Sequence, residues 1–390
     1  MNDSCERYPT IRHRLVIKMS RKFKKLERTA RVFRDGLRAR SLLAVLFLPA
    51  AAAAQGFAGL GGQAVDFTPV TAPAEIVFPR DHGPHPGFRV EWWYLTANLR
   101  GADGADYGAQ WTLFRSALAP GPEPDGWDST AVWMGHAAAT GAGVHHFAET
   151  FSRGGIGQAG VTLDPFRGWI DDWEIDAAPN PGGDALGALR VRARGTDFAY
   201  DLRATAPLPP GLQGDGGFSV KSEQGQASYY YSQPFYRVEG TLALDGRETA
   251  VTGEAWLDRE WSSQPLTADQ LGWDWFALHL EGGAKAMLYG MRSRTAPPYV
   301  VGTWIEPDGA ATPLRPGEIT LTPRAETEVA GGRRVPTGWH VEIPSRGLAV
   351  DTAPLNAQSW MGTLFPYWEG PIRIEGSHAG RGYLEMTGYQ

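Results

Sequence analysis

The stretch VEGTLALDGRETAVTGEAWLDREW, residues 238–261, predicts a β-hairpin. Asp245-Gly246 stands between two runs of alternating apolar and polar residues, and an Asp-Gly pair supplies the positive φ angles that a two-residue hairpin turn needs. Other alternating runs also flank short turns: VEWWYLTANL and YGAQWTLFRSAL flank RGADGAD, and WDWFALHL and KAMLYGMR flank EGGA. We therefore expect antiparallel strands joined by tight turns.

Strands of this kind recur about every 8–14 residues, and the 49 Gly and 29 Pro concentrate between them. No long amphipathic helix is predicted after residue 54. Short strands at this spacing are typical of antiparallel barrels and sandwiches. Two blocks, residues 76–260 and 262–390, each have the size of one barrel that can enclose a ligand. The predicted fold class is all-β, with two tandem antiparallel β-barrel domains.

The first 54 residues have the layout of a secretory signal peptide. Residues 1–40 hold thirteen Lys and Arg against four Asp and Glu, and the apolar run SLLAVLFLPAAAAAQG follows them. An Ala-x-Ala pattern at residues 52–54 predicts cleavage near Ala54, and hence a periplasmic or secreted protein. A start at Met19 and an uncleaved anchor are the alternatives.

Charge and motifs argue against several classes of function. The remaining 350 residues hold 24 Lys and Arg against 39 Asp and Glu, a net charge of −15 that disfavours nucleic acid as a partner. The only cysteine, Cys5, lies in the predicted leader, which excludes thiol catalysis in the mature chain. G-x-S-x-G, H-E-x-x-H and phosphate-binding glycine motifs are absent from the sequence. We predict neither a cofactor nor a metal.

Two groups of histidines are candidate functional residues. His136 with His145 or His146 could form a zinc site, although adjacent histidines face opposite ways in a strand and cannot chelate together. A second group lies in the Pro- and Gly-rich loop FPRDHGPHPG, residues 78–87, whose acid and histidines could lie at a barrel mouth. A hydrogen-bonded turn is the other interpretation of that loop.

The end of the hairpin, GEAWLDREW, carries the strongest chemical signal. In an extended strand Glu254, Trp256, Asp258 and Glu260 share one face, because side chains alternate with period two. A buried carboxyl beside indoles has a raised pKa and can hold a proton, and aromatic faces stabilise a nearby cation. This suits protonation of an alkene followed by capture of the cation by water. The alternative is an acid at the strand end that pairs with Arg259 or another arginine.

The strand VEWWYLTANL, residues 90–99, has bulky side chains on both faces, as a wall between a core and a cavity would have. Glu91 and Trp93 share one face, and Trp92 and Tyr94 share the other. Simple filling of a wide barrel by aromatic residues is the alternative. The candidate ligand-binding residues from the two strands are Glu91, Trp93, Tyr94, Glu254 and Glu260.

Four segments in this order, VEWWYLTANL, ASYYYSQP, GEAWLDREW and GRGYLEMTGY, resemble the AttH-like, carotenoid 1,2-hydratase (hydroxyneurosporene synthase) superfamily. The resemblance covers about residues 76–390 and implies two consecutive lipocalin-like β-barrel domains that hold a long apolar ligand. The leader places the chain closer to the exported AttH-like branch. The H-x-W and Y-x-D pairs of the hydratases fall on Tyr229, Tyr231, Trp256 and Asp258, and of these positions Asp258 alone keeps its residue type.

Together these features predict an exported protein that binds an apolar small molecule, an isoprenoid or a lipid. In the enzymatic form of this hypothesis, a hydratase or isomerase, Asp258 donates the proton and Glu260 or Glu254 positions water. Trp256, Tyr231 and Tyr229 would then line the cation. A non-catalytic carrier that serves an ABC-type envelope transporter and a secreted hydrolase are the alternatives.

Overall fold

The computed structural model describes residues 66–180, 183–264 and 266–389. Within these ranges the chain forms 23 β-strands and three short 3₁₀ helices, at Arg80–His82, Gly126–Asp128 and Pro344–Arg346. The predicted signal peptide and its cleavage site near Ala54 lie outside the described residues. None of the described helices combines the length and the apolar character of a membrane span.

The first half of the described chain forms one antiparallel sheet with the strand order β4-β3-β2-β1-β13-β12-β9-β8-β7-β6-β5, and β10 and β11 also pair with β12. Its strands are β1 (Val90–Gly101), β2 (Asp106–Ala117), β3 (Ala131–Gly141), β4 (Val144–Arg153), β5 (Ala159–Leu163), β6 (Phe166–Ile170), β7 (Trp173–Ala177), β8 (Ala188–Arg194), β9 (Phe198–Thr205), β10 (Gly211–Leu212), β11 (Phe218–Val220), β12 (Ala227–Leu244) and β13 (Arg247–Ser262). The sheet curls until β6 packs against β2, β3 and β4. The curled sheet encloses the first apolar core, which includes Trp93, Trp111 and Leu257.

The second half forms another antiparallel sheet, with the order β17-β16-β15-β14-β23-β22-β20-β19-β18, and β21 pairs with β22. Its strands are β14 (Gln270–Leu280), β15 (Lys285–Ser293), β16 (Tyr299–Ile305), β17 (Ala311–Leu314), β18 (Thr320–Val329), β19 (Arg333–Ile343), β20 (Leu348–Pro354), β21 (Trp360–Met361), β22 (Tyr367–Gly376) and β23 (Gly380–Thr387). It encloses a second core around Phe276, Trp339 and Trp368. The predicted all-β class is confirmed, and the two predicted antiparallel barrels are two curled antiparallel sheets.

Strands β12 and β13 form the hairpin predicted around Asp245-Gly246. Asp245 and Gly246 have φ angles of 49° and 76°, the left-handed conformations that this two-residue turn requires. Leu244 and Arg247 are the first cross-strand pair. The register then shifts by one residue between Gln233 and Tyr236, where β12 carries a bulge.

Strands β1 and β13 pair along their full shared length and separate the first core from the second sheet. The inner face of β13 carries Ala255, Leu257 and Trp261, which belong to the first core. Its outer face carries Trp256, which packs in a third apolar cluster with Trp275 of the second sheet. The second sheet thus buries Trp256 on the outer face of β13.

Candidate functional site

A cavity of about 830 Å³, its open mouth included, lies where β1, β2, β12 and β13 of the first sheet face β14, β15 and β23 of the second. Seven of its 19 lining residues are aromatic, and the wall also holds three carboxylic acids and one lysine. The aromatic residues are Trp92, Tyr94, Phe114, Tyr230, Trp273, Trp275 and Tyr289, and the charged residues are Lys221, Asp258, Glu260 and Glu385.

Asp258 sits in this wall, 2% exposed, with three hydrogen-bond donors around its carboxyl group. Tyr230 Oη donates to Oδ2 over 2.6 Å, while Ser232 Oγ and Trp256 Nε1 donate to Oδ1 over 2.5 and 2.6 Å. Burial raises the pKa of Asp258 to about 7, although the three donors oppose the rise, and nearby Glu260 adds to it. Asp258 can therefore hold and release a proton near neutral pH.

The donors around Asp258 give a testable prediction. Tyr230→Phe removes one hydrogen bond to the ionised carboxyl, so the pKa of Asp258 should rise further. The measurement is a pH titration of the Asp258 carboxyl carbon by NMR, with Asp258→Asn to assign the signal. Tyr231→Phe is the matched control, because Tyr231 lies on the opposite face of β12 and hydrogen-bonds to His82. A pKa that stays the same or falls in Tyr230→Phe would contradict the proposed geometry.

Glu385, on β23 of the second sheet, is a functional candidate that sequence reasoning missed. Trp273 Nε1 donates to its Oε1 over 2.7 Å. Burial raises the pKa of Glu385 to about 7, and the charges of Asp258 and Glu260 raise it as well. The cavity thus holds two acids that titrate in the same range, one from each sheet. A sequence signal was present, since Glu385 lies between apolar residues in GRGYLEMTGY, one of the four resembling segments.

Glu260 and Lys221 form a charged pair on the same cavity wall. Lys221 Nζ lies 3.0 Å from Glu260 Oε1 and 4.3 Å from the centre of the Tyr230 ring. It also lies 4.8 Å from the centre of the Tyr289 ring. These contacts show that the ring faces of Tyr230 and Tyr289 can hold a positive charge.

Two predicted site residues, Tyr229 and Tyr231, are not brought to Asp258. They pair with Trp261 and Arg259 and share the inner face of the first sheet with them. The turn register of the hairpin, continued without interruption, would place Tyr231 opposite Glu260, on the outer face. The one-residue bulge in β12 shifts this register and exchanges the two faces, so Tyr230 and Ser232 reach Asp258 instead.

Glu91 and Trp93 also face the inside of the first sheet rather than the cavity. Arg259 Nη2 lies 2.5 Å from Glu91 Oε2, and its guanidinium stacks 3.7 Å from the centre of the Trp93 ring. The acid that pairs with Arg259 is therefore Glu91, not Asp258. Tyr94 lines the cavity as expected for a ligand-binding candidate.

Glu254 shares its face of β13 with Asp258 but lies outside the cavity lining, where Lys285 Nζ donates to its Oε1 over 2.9 Å. Its side chain is 43% exposed.

The histidines have separate partners. His136 hydrogen-bonds to Glu149 and Tyr367, His145 to Thr140, and His146 to Asp245. In the described parts of the chain, no group of three or more His, Cys, Asp or Glu is arranged to hold a metal ion.

The loop at residues 78–87 covers the buried charges of Glu91 and Arg259 on the inner side of the first sheet. His85 stacks on Trp261 with ring centres 3.9 Å apart, and its Nδ1 lies 3.2 Å from Glu91 Oε2. His82 Nδ1 hydrogen-bonds to Tyr231 Oη over 2.7 Å. These contacts make the loop a hydrogen-bonded turn over the buried charges.

The fold and the site define a lipocalin-like protein of two curled sheets, with an open-mouthed cavity whose wall carries ionisable acids. A model of the AttH-like family matches residues 69–389, and the chain belongs to this family, which confirms the resemblance of the four segments.

Solved structures share the fold. The AttH-like protein NE1406 from Nitrosomonas europaea is 30% identical with a TM-score of 0.72, and the match covers 83% of this chain and 100% of that one. Kievitone hydratase from Nectria haematococca is 17% identical with a TM-score of 0.61, covering 83% and 96%. CghA in complex with Sch210972 is 14% identical with a TM-score of 0.50, covering 78% and 89%. The comparison with curated proteins found no match.

Proposed function

We propose that this protein binds a long apolar molecule, an isoprenoid or a lipid, in the cavity between its sheets and hydrates or isomerises it through Asp258. The observation that carries the proposal is a buried carboxyl with a pKa of about 7 in an aromatic wall. The hydratase among the structural relatives has the same fold, and its activity is a precedent only.

The chemistry follows from the two acids. Protonated Asp258 gives its proton to an alkene carbon, and the π electrons form the new C–H bond. The face of Trp275 stabilises the carbocation that remains. Water then bonds to the cation through oxygen, and ionised Glu385 takes the proton that water releases. Since Asp258 and Glu385 titrate in the same range, the singly ionised pair is populated near neutral pH. In isomerisation, Glu385 takes a proton from carbon instead.

Export to the periplasm or the outside of the cell is part of the proposal, supported by the basic and then apolar composition of the first 54 residues. The acidic remainder of the chain supports a small-molecule ligand rather than nucleic acid. Native mass spectrometry of protein purified from its own cells tests the class of ligand. A co-purifying isoprenoid or lipid supports the proposal, and a polar ligand contradicts it. Binding without any turnover would instead identify a carrier, for which an envelope transporter is the expected partner.

A second test locates the ligand. Ser228 is 2% exposed and lines the cavity, so Ser228→Phe should fill it. All-trans-retinol, an isoprenoid probe whose fluorescence changes on binding, should lose affinity by about tenfold or more, or about 1.4 kcal/mol. Tyr229→Phe, one residue away on the opposite face, should bind retinol like the wild type. Equal affinities in the two variants would place the ligand elsewhere.

A further inference from the structure

A row of polar side chains crosses the first sheet from the cavity to the solvent. The antiparallel pairing aligns Asp258 with Tyr94, Tyr94 with Thr112, Thr112 with His136, and His136 with Glu149. All five therefore lie side by side on the outer face of the sheet. Neighbouring strands lie about 4.8 Å apart, so the row spans about 19 Å.

Two residues of β22 in the second sheet connect members of this row by hydrogen bonds. Tyr94 Oη donates to Glu369 Oε1 over 2.5 Å, and Tyr367 also hydrogen-bonds to Glu369. His136 Nδ1 lies 3.0 Å from Tyr367 Oη, and His136 Nε2 lies 3.0 Å from Glu149 Oε1. The contacts form one chain in the order Glu149, His136, Tyr367, Glu369, Tyr94.

This series of hydrogen-bonded side chains is buried along its length and reaches the solvent at the Glu149 end. His136, Tyr367 and Glu369 are at most 1% exposed, whereas the Glu149 side chain is 20% exposed. At the other end Tyr94 lines the cavity. Phe114 packs edge-on against His136 with ring centres 5.3 Å apart. Each member can both donate and accept a proton, which a purely structural hydrogen-bonded pair does not require.

The environment suits the transfer of protons rather than the storage of charge. Burial raises the pKa of Glu369 well above its usual range, and the charge of Glu385 adds to the rise. Burial lowers the pKa of His136, although Glu149 opposes this. Both shifts favour the uncharged forms of Glu369 and His136, so a passing proton need not displace a bound charge.

We propose that Glu149, His136, Tyr367 and Glu369 form a proton relay between the solvent and the cavity wall at Tyr94. The relay rests on the proposed function in one respect: it would reset the pair of acids in the cavity while a ligand closes the mouth.

The protons balance at every step. Neutral Glu369 gives its proton to the Tyr94 oxygen as the Tyr94 hydroxyl proton moves to an acceptor in the cavity. Glu369, now ionised, takes the hydroxyl proton of Tyr367, Tyr367 takes the Nδ1 proton of His136, and His136 takes at Nε2 a proton that Glu149 has received from the solvent. Glu369 ends neutral, Glu149 ends ionised, and His136 has exchanged one tautomer for the other.

The test needs no substrate and no activity. Infrared spectroscopy after dilution into heavy water follows exchange of the Glu369 carboxyl proton, with Glu369→Gln to assign the band. Tyr94→Phe removes the route through the cavity, so exchange should then depend on Glu149. In this background, Glu149→Gln should slow the exchange at least about tenfold, because an amide cannot pass a proton from water to His136. Glu149→Asp should restore the rate.

A merely structural role of Glu149 would change thermal stability without changing the exchange rate. Equal rates in Tyr94→Phe and Tyr94→Phe/Glu149→Gln would overturn the relay, as would the absence of a protonated Glu369 band. Turnover does not enter the measurement. The relay can therefore fail while the proposed function stands, and the proposed function can fail while the relay stands.

Discussion

Asp258→Asn is expected to abolish turnover and to leave binding of the apolar ligand nearly unchanged. The amide has the same shape, and its oxygen can still accept hydrogen bonds from Ser232 and Trp256. It cannot donate a proton to an alkene carbon. Loss of a positioned general acid lowers rates by about 10²–10⁴-fold. The measurement is addition of isotopically labelled water to the molecule recovered from the protein, followed by mass spectrometry, with retinol affinity measured in parallel.

Glu254→Gln is the matched control for this variant. Glu254 shares the outer face of β13 with Asp258 but contacts Lys285 outside the cavity lining, so the control should keep wild-type turnover.

A second variant, Glu385→Gln, distinguishes the two acids. Hydration should slow when the group that takes the proton from water is lost, while retinol affinity stays the same. Wild-type turnover in Asp258→Asn would remove Asp258 from the mechanism.

The sequence was informative about Asp258 because local rules predict the strand on which it lies and the face that it shares. Asp245-Gly246 defines the hairpin turn, and the period of two separates Asp258 from Arg259 along β13. Both features are visible within a few residues. Local patterns alone do not distinguish barrels from sandwiches. The resemblance of the four segments added the expectation of two consecutive barrels.

The partners of Asp258 depend on features that local rules do not reveal. The bulge between Gln233 and Tyr236 decides which tyrosines face Asp258, and only Pro234, which cannot donate to a sheet ladder, indicates it in the sequence. Glu385 is separated from Asp258 by more than a hundred residues. Its position in the cavity depends on how the second sheet packs on the first, which no single strand specifies.

A substitution of Arg259, on the inner face of β13, is expected to have the largest effect on the free energy of unfolding. Arg259 is fully buried, and its guanidinium lies between Glu91 and the faces of Trp93 and Trp261. Arg115 Nη1 is 3.1 Å from the other oxygen of Glu91. Removing one member of such a buried ion pair leaves the partner charge without full compensation, which costs about 3–5 kcal/mol.

Arg259→Met should therefore lower the free energy of unfolding by about 3–5 kcal/mol, measured by denaturant unfolding near neutral pH. Arg334→Met is the matched control, because Arg334 pairs with Glu326 on the surface, where ion pairs contribute about 0–1 kcal/mol. The double variant Arg259→Met/Glu91→Gln should lose less stability than the two single losses combined, since no carboxylate is then stranded. Additive losses would contradict a direct pairing of the two charges.

The pH dependence of the free energy of unfolding is an independent test of the pairing between Glu91 and Arg259. Although burial alone would raise it, the pKa of Glu91 is lowered to about 2, chiefly by the charge of Arg259 and then by His85 and Arg115. Its ordinary value is 4.5, so the stabilisation is present above pH 4.5 and is lost as the pH falls toward 2. Glu91→Gln should flatten the acid limb of the stability curve in this window, whereas Asp258→Asn should not. The two faces of the paired strands β1 and β13 thus hold acids tuned in opposite directions: Glu91 of β1 is kept ionised against Arg259 on the inner side, and Asp258 of β13 is kept able to hold a proton on the outer side.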